Sequence, residues 1–323
     1  ALHCCAEDNY DIHDIDQYPY PPAGRLEDRI YEAPAFILEY FSDMDRELIP
    51  EDKPYRAYTP SESQRREIEY VIAMLPDGLR ETVEPRLMGI YFIENLVGSG
   101  WAEWIKGPGN ELYTVILLDA EVLELEASEW ITKKEKSAFI ADDPAFDIRI
   151  DTGSGLSGFS YIFFHEIAHV FDYVTGVTPL EPGFSTEIAY KEALVNGEPV
   201  ILETIERHFP LTAGVWQSFR RPVPTHDFEY RKDILFYGLG GGPKLKISEA
   251  PEVYDDLMES PFVTLYGSMN WMEDFAEITA AYISTVKMLR PWRLVVTRNG
   301  ETIYSIDEKD VLGRREIARR VEI

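Results

Sequence analysis

One segment, SYIFFHEIAHVFDYVTG at residues 160–176, limits how this chain can fold more than any other stretch does. Its apolar residues recur with helical spacing and cover a wide face, which predicts a helix whose back is buried in the core. Gly176 and Pro179 follow where such a helix would end. The residues of the apolar back are Phe163, Phe164, Ile167, Val170, Phe171 and Val174. Any fold of this chain has to place other elements around this helix.

The same segment places His165 and His169 four residues apart, with Glu166 beside the first. Residues at this spacing lie one helical turn apart, so both imidazoles can point to one place and bind a divalent ion. Glu166 cannot reach that ion from its position on the turn, but it can hold a water molecule there and act as a general base. Short HExxH patterns also occur by chance, and the three residues would then be polar side chains of a structural helix.

The composition indicates a globular protein and argues against some partners. The chain has 323 residues, of which 45% are hydrophobic and 13% aromatic, enough for a substantial core. Its formal net charge of −27 disfavours nucleic acids and anionic lipid surfaces, because both are bound through clustered Lys and Arg. No apolar run approaches the roughly 20 residues that a membrane-spanning helix needs. We therefore expect no nucleic acid partner and no membrane span.

The N-terminal segment carries two further signals. Ala1 in place of Met fits the removal of an export signal and equally fits a shortened chain, and we expect a secreted or cell-envelope protein of bacterial type. Cys4 and Cys5 are the only cysteines, and two adjacent cysteines cannot join distant parts of a fold. We expect two thiols in a polar, flexible tail.

Three regions are expected along the chain. Residues 1–60 are rich in Asp, Tyr and Pro and predict an extended acidic arm with one short helix in EAPAFILEYFSDMD. Ser61 and Gln64 form a capping-box pattern before a helix through IEYVIAML, and a main domain is predicted over residues 61–290. A C-terminal hairpin and helix, packed on the main domain, are expected over residues 291–323.

Strand patterns precede the histidine helix, and helical patterns follow it. MGIYFIENL and LYTVILLD predict two neighbouring strands joined by a wide turn through GSGWAEWIKGPGN. Helical patterns occur at residues 186–197 and 198–209, and an amphipathic helix is predicted from Trp271 to about Leu289. RLVVTRNGETIYSI predicts a hairpin, because Asn-Gly suits a tight turn between alternating strands. The pattern indicates an α+β fold: a small mixed sheet packed on the histidine helix, a mostly helical C-terminal half and a C-terminal β-hairpin.

A zinc-type site needs a third protein ligand, and one common pattern for it is absent. Where an HExxHxxGxxH sequence would have Gly and the last His, this chain has Asp172 and Thr175. Glu187 and Glu192 lie at a distance along the chain that suits a glutamate ligand, but neither is followed by a supporting Asp four residues later. They stay second choices.

The stronger candidate is Glu273 in LYGSMNWMEDFAEITAAY. Glu273 and Glu277 lie four residues apart on one face of the predicted helix, beside a stripe of apolar residues. The first carboxylate can bind the ion, while the second can accept a hydrogen bond from a ligand histidine and set its tautomer. The alternative is structural, with Asn270 capping this helix and Glu273 as its capping-box partner.

Together these motifs resemble those of one group of zinc peptidases. The chain reads HExxHxxD, then Tyr266-Gly267, then a Glu seven residues after the Tyr, followed by Asp-Phe-Ala-Glu. This pattern is similar to that of the anthrax lethal-factor type of gluzincin, a group that looks related to the Pro-Pro endopeptidases. The resemblance covers about residues 160–285 and implies a zincin-like metallopeptidase domain.

The resemblance implies a role for each matching residue. It implies that His165, His169 and Glu273 bind Zn²⁺ as the cofactor. It also implies that Glu166 activates a water molecule and that Tyr266 donates a hydrogen bond to the developing oxyanion. A phenol suits this role on chemical grounds, because acyl transfer needs a preorganised donor at that oxygen.

Two more acidic residues and one strand complete the expected site. Glu277 would support a ligand histidine, and Asp172 would either do the same or be only a polar residue at the helix end. LYTVILLD is expected as the edge strand that holds an extended substrate by β-augmentation, with an interior strand as the alternative.

We therefore predict a zinc-dependent endopeptidase that acts on a peptide or protein substrate through metal-activated water. Two alternatives stay open. The chain would be a zinc hydrolase of a non-peptide amide, with the same ligands and the same base, or a non-catalytic binding module stabilised by a metal. A structural zinc needs neither Glu166 nor Tyr266, so the presence of both favours an enzyme.

Overall fold

The computed structural model describes residues 12–19, 21–50, 52–179 and 209–321. Some of the predicted features lie outside this part of the chain. They are the two helical patterns after the histidine helix, of which only Phe209 is described, and Cys4, Cys5, Glu187 and Glu192.

The described chain is a mixed α/β structure. The helices are α1 (Ala35–Met44), α2 (Glu62–Ala73), α3 (Asp77–Val83), α4 (Ala127–Lys136), α5 (Phe159–Thr175), α6 (Ala250–Glu259), α7 (Trp271–Tyr282), α8 (Glu308–Leu312) and α9 (Arg315–Val321). The strands are β1 (Ile30–Tyr31), β2 (Arg56–Tyr58), β3 (Leu87–Glu94), β4 (Gly100–Lys106) and β5 (Leu112–Asp119) in the first part of the chain. They are followed by β6 (Phe139–Ile140), β7 (Phe146–Asp151), β8 (Trp216–Ser218), β9 (Arg221–Pro222), β10 (Leu245–Lys246), β11 (Arg293–Arg298) and β12 (Glu301–Asp307).

The main sheet is small and mixed, as expected. Its strand order is β1-β3-β5-β4, and β2 also pairs with β3. β1, β3 and β5 run parallel, whereas β2 and β4 are antiparallel to their neighbours. The two strands predicted from MGIYFIENL and LYTVILLD are therefore neighbours in the sheet.

Two expectations about this sheet are corrected. The stretch expected as a wide turn contains β4, because two neighbouring parallel strands cannot be joined by a tight turn and β4 lies within their crossover connection. LYTVILLD forms β5, which is an interior strand between β3 and β4. β4 lies at one edge of the sheet, next to β5.

The described residues before position 61 also differ from the expected extended arm. β1 and β2 pair with β3, and α1 is the predicted short helix. Its Ile37 and Phe41 pack on one face of the sheet, whereas α5 covers the other face. Ile12 and Tyr18 are buried in the same cluster as α1. These apolar side chains cover one face of the sheet to which β3, β4 and β5 also belong.

The helix starts and the one helix end that the sequence predicted agree with the structure. Ser61 and Gln64 form the capping box at the start of α2. α5 ends at Gly176, which adopts a left-handed φ of 68° and donates its N–H to the Asp172 carbonyl. The side chain of Asn270 caps α7 by accepting from the backbone N–H groups of Met272 and Glu273.

The C-terminal hairpin is formed by β11 and β12 around Asn299 and Gly300. Both turn residues have positive φ, 54° and 80°, as the predicted Asn-Gly turn requires. β11 also pairs with β7, a strand from the middle of the chain, so the hairpin and β7 together form a three-stranded sheet. This pairing joins the C-terminal region to the rest of the fold. Among the described helices, none has both the length and the apolar character to cross a membrane.

The last helix is held against α7 by a buried ion pair. Arg320 in α9 donates to the Asp274 carboxylate in α7, and both side chains are almost fully buried. Trp216 Nε1 donates to the same carboxylate oxygen at 2.7 Å. The Arg320 guanidinium also donates to the carbonyl oxygens of Leu211 and Pro261. These contacts fix the helix that carries Glu273 and Glu277.

We predict that Arg320→Ala destabilises the fold strongly. Removing one member of a buried ion pair leaves the other charge without a partner, which costs about 3 kcal/mol or more. Urea unfolding followed by circular dichroism would show a lower midpoint for this variant. Arg319→Ala is the matched control, because Arg319 is exposed on the same helix. Equal midpoints for the two variants would contradict the role given to the Asp274–Arg320 pair.

Candidate metal centre

α5 and α7 bring three sequence-predicted ligands together. His165 Nε2 lies 3.1 Å from Glu273 Oε2, and His169 Nε2 lies 3.5 Å from the same oxygen. The two Nε2 atoms are 3.2 Å apart. Although Asn270 caps α7 as the structural alternative proposed, the Glu273 side chain faces the histidines.

These distances fit one metal ion between the three atoms. A tetrahedral zinc site with bond lengths of about 2.0–2.1 Å has ligand atoms about 3.3 Å apart, and the three distances lie on both sides of that value. Glu273 Oε2 is buried and faces both imidazole Nε2 atoms. The group of His165, His169 and Glu273 could therefore hold a metal ion.

The electrostatics of the three residues are those of a compact cluster of opposite charges. Burial lowers the pKa of His165, but hydrogen bonds and charges from Glu273 and Glu277 raise it to about 10. Burial would raise the pKa of Glu273, but His169 and His165 bring it well below its ordinary value. In the metal-free protein the positive charge of protonated His165 therefore offsets part of the negative charge of the two carboxylates.

Glu277 contacts the other ring nitrogen of His165, Nδ1, as its spacing from Glu273 predicts. Its Oε1 atom lies 3.0 Å from His165 Nδ1 and accepts a hydrogen bond from Lys134 Nζ at 3.0 Å. Its Oε2 atom accepts from the hydroxyl groups of Tyr161 at 3.0 Å and Thr264 at 2.8 Å. Burial would raise the pKa of Glu277, but Lys134 and His165 hold it well below its ordinary value. A carboxylate at Nδ1 directs the Nε2 lone pair of His165 to the ligand position.

Glu166 lies beside the cluster without joining it. Its side chain is buried, and its Oε2 atom has no hydrogen-bond partner within the described ranges. Burial raises the pKa of Glu166, and the charges of His165 and His169 lower it in part. Gly100, the first residue of β4, makes room for it: a Cβ atom at this position would lie 2.6 Å from Glu166 Oε1. The edge strand therefore passes directly over this carboxylate.

The ring of Tyr266 lies near the ring of His165. The centroids of the two rings are 5.7 Å apart, and the rings of Phe236 and Tyr266 form a T-shaped pair with centroids 5.1 Å apart. Burial raises the pKa of Tyr266 well above its ordinary value, and the charge of Glu273 adds to this effect. The hydroxyl group therefore keeps its proton and can serve as a hydrogen-bond donor.

Asp172 holds the turn that follows α5. Its carboxylate accepts hydrogen bonds from the backbone N–H of Thr178 at 2.7 Å and from the Thr178 hydroxyl at 2.5 Å. Burial raises the pKa of Asp172 to about 6, although these hydrogen bonds and the charge of His169 lower it in part. These hydrogen bonds are those of a polar residue that organises the helix end.

A cavity of about 650 Å³ has Lys134 in its lining, which also contacts Glu277, but its lining includes none of the three candidate ligands. Lys134, Tyr237 and Ser99 form the part of its lining that is nearest to Tyr266. The hydroxyl groups of Tyr237 and Ser99 lie 3.0 Å apart, and Tyr237 has an unusual left-handed φ of 58°. Such a backbone conformation in a bulky residue marks a position held by its surroundings.

Several of these residues were not identified from the sequence. Lys134 lies in a charge run that resembles a solvated helix face, and Tyr161 looks like one more core aromatic residue. Gly100 gave no distinct signal either, because it lies in GSGWAEWIKGPGN, whose several glycines indicate a turn. Comparison of the chain with known protein families, characterised proteins and solved structures finds no match.

We predict that the purified protein binds one Zn²⁺ ion per chain and that Glu273→Gln weakens this binding strongly. The substitution keeps the size of the side chain but removes the anionic ligand. Metal analysis after dialysis and calorimetric titration would measure the effect. Glu259→Gln, on an exposed position of α6, is the control and should bind like the wild type. Unchanged zinc content in Glu273→Gln would contradict this ligand assignment.

We also predict that zinc binding releases protons and strengthens as the pH rises. With a pKa raised to about 10, His165 carries a proton at neutral pH in the metal-free protein, and this proton must leave before the ring can bind the ion. Calorimetry in buffers of different ionisation enthalpy should show about one proton released from this ring per ion bound. An affinity that stays constant from neutral to mildly alkaline pH would be inconsistent with a protonated His165.

Proposed function

We propose that this chain is a zinc-dependent endopeptidase with a zincin-like fold, of the lethal-factor-like gluzincin type that its motifs resemble. One observation carries the proposal: His165, His169 and Glu273 converge on one point, with the carboxylate of Glu166 beside it. Two imidazoles and one carboxylate are a donor set that suits zinc in hydrolytic enzymes. When bound, the ion supplies Lewis acidity for the hydrolysis of an acyl group.

Glu166 is the proposed general base. It is next to the ligand cluster, and its Oε2 atom has no competing hydrogen bond from the described residues. Its burial makes the carboxylate more basic than one in water, which suits the transfer of a proton from a water molecule. As the water oxygen adds to the scissile carbonyl carbon, Glu166 takes one proton. It then gives this proton to the amide nitrogen as the C–N bond breaks.

Tyr266 is the proposed oxyanion donor. The structural support is its place against His165 and its raised pKa, which keeps the phenol protonated. A donor held in position before the reaction stabilises the negative charge of the tetrahedral intermediate without reorganisation. Phe236 and Lys134 contact its ring and limit its movement.

The edge strand β4 is the proposed docking place for an extended peptide, in place of the interior strand β5. A free sheet edge can pair with a peptide backbone, and alternate side chains of the peptide then point to either face. β4 begins at Gly100, next to Glu166, so a peptide paired with it would pass the metal centre. At the other end of β4, Lys106 already pairs with the segment around Asp14. The acidic surface disfavours strongly acidic peptides.

The alternatives differ from this proposal in testable ways. A hydrolase of a non-peptide amide would use the same residues but would leave peptides intact. A structural metal site would normally be closed by four protein ligands, whereas three converge among the described residues. Export to the cell envelope or medium stays a prediction.

We predict that the zinc-loaded protein cleaves members of a mixed peptide library and that Glu166→Gln lowers kcat by about 100-fold or more. The amide keeps the size of the side chain but cannot accept the proton. Mass spectrometry of the products and initial rates on the best peptide would measure both effects. Zinc content should stay at the wild-type level.

The control for this experiment is Glu129→Gln, an exposed residue of α4, which should cleave at the wild-type rate. Cleavage by Glu166→Gln at the wild-type rate would remove Glu166 from the mechanism. No cleavage of any peptide by a fully zinc-loaded wild-type sample would argue for one of the two alternatives.

A further inference from the structure

Lys134 is a buried lysine in a helix whose other lysines face solvent. Its side chain is only 6% exposed, whereas that of its neighbour Lys133 is 60% exposed and pairs with Glu121 at the surface. Lysine is almost never fully buried without a partner, because its charge loses its hydration. The contacts of the Lys134 ammonium group therefore show which groups compensate for its lost hydration.

The first contact is with the carboxylate behind the ligand histidine. Lys134 Nζ lies 3.0 Å from Glu277 Oε1, and His165 Nδ1 lies 3.0 Å from the same oxygen. The other oxygen of Glu277 is held by Tyr161 and Thr264. The carboxylate therefore cannot rotate away from His165 without losing hydrogen bonds on both sides.

The second contact is with the proposed oxyanion donor. Lys134 Nζ lies 4.1 Å from the centroid of the Tyr266 ring, close enough for a cation–π interaction. One ammonium group thus contacts both the carboxylate that orients a ligand and the ring that carries the donor hydroxyl. Neither contact touches the ligand atoms themselves.

We propose, on the basis of the proposed function, that Lys134 is a positioning residue of the metal centre. Its ammonium group holds the Glu277 carboxylate against His165 Nδ1 and holds the Tyr266 ring beside the cluster. The first effect keeps His165 Nε2 directed to Glu273, and therefore acts on metal affinity. The second effect keeps the phenol in place, and therefore acts on turnover.

The test compares Lys134→Met with Lys133→Met. Both changes replace an ammonium by an apolar chain of similar length at adjacent positions of α4. Zinc affinity, measured by competition with a chromophoric chelator, is expected to fall about 10-fold to 100-fold for Lys134→Met, the range typical of residues that support a ligand. It should not change for Lys133→Met. Lys134→Arg keeps the positive charge and should recover part of the affinity.

Two further readouts separate positioning from a general loss of stability. In zinc-saturated protein, Lys134→Met should lower kcat with little change in KM, because Tyr266 acts in the transition state rather than in substrate binding. The Nδ1 proton resonance of His165 in the zinc-loaded protein should shift in Lys134→Met and stay in place in Lys133→Met.

A double variant covers the case in which Lys134→Met does not fold. Lys134→Met with Glu277→Gln removes both buried charges, which a core tolerates better than the loss of one. The folded double variant should also bind zinc more weakly than the wild type. Wild-type zinc affinity in either folded variant would overturn the role of Lys134.

The outcomes also separate this proposal from the proposed function. If the wild type cleaves no peptide while Lys134→Met selectively weakens zinc binding, the endopeptidase proposal fails and the positioning role stands. If the wild type cleaves peptides while folded Lys134→Met matches it in zinc affinity, kcat and the His165 resonance, the positioning role fails and the endopeptidase proposal stands.

Discussion

The close packing of α5 on α7 is the contact on which the rest of the structure depends. Ala168 of α5 and Ala276 of α7 are fully buried in one apolar cluster, and their small side chains suit a close approach of the two helix backbones. This approach brings Glu273 within 3.1 Å of His165 Nε2. A larger side chain at either alanine would separate the helices, because a packed core does not yield easily to added volume. The candidate metal centre is a consequence of this packing.

α7 is held in its orientation by charges as well as by apolar contacts. Glu273 faces the histidines, Asp274 faces Arg320 of the C-terminal helix, and Glu277 faces Lys134 of α4. Each carboxylate is paired with a cation from a different part of the chain. Buried charges add little net stability compared with apolar residues, but each one is costly to leave without its partner. The pairs therefore specify one orientation of α7.

Local patterns were sufficient for much of the fold and of the site. The spacing of His165 and His169 on an apolar helix predicted α5, and the capping pattern at Ser61 predicted the start of α2. The Asn-Gly pair at the hairpin turn was equally informative. Each of these signals depends on residues within a few positions of one another, where the backbone geometry sets which side chains can meet. Glu273 was found because its own motif is local, although its partners are distant.

The residues that decide the surroundings of the site carried no such signal. β4 looked like a turn because it lies within a crossover between parallel strands, and β5 looked like an edge strand because alternation along one strand does not show its neighbours. Lys134 lies among other lysines that face solvent. The sequence by itself determined which helices and turns form and which residue types can bind a metal. Only the tertiary structure decided which lysine is buried, which strand lies over Glu166 and which carboxylate meets which cation, because burial and pairing depend on contacts between segments far apart in the chain.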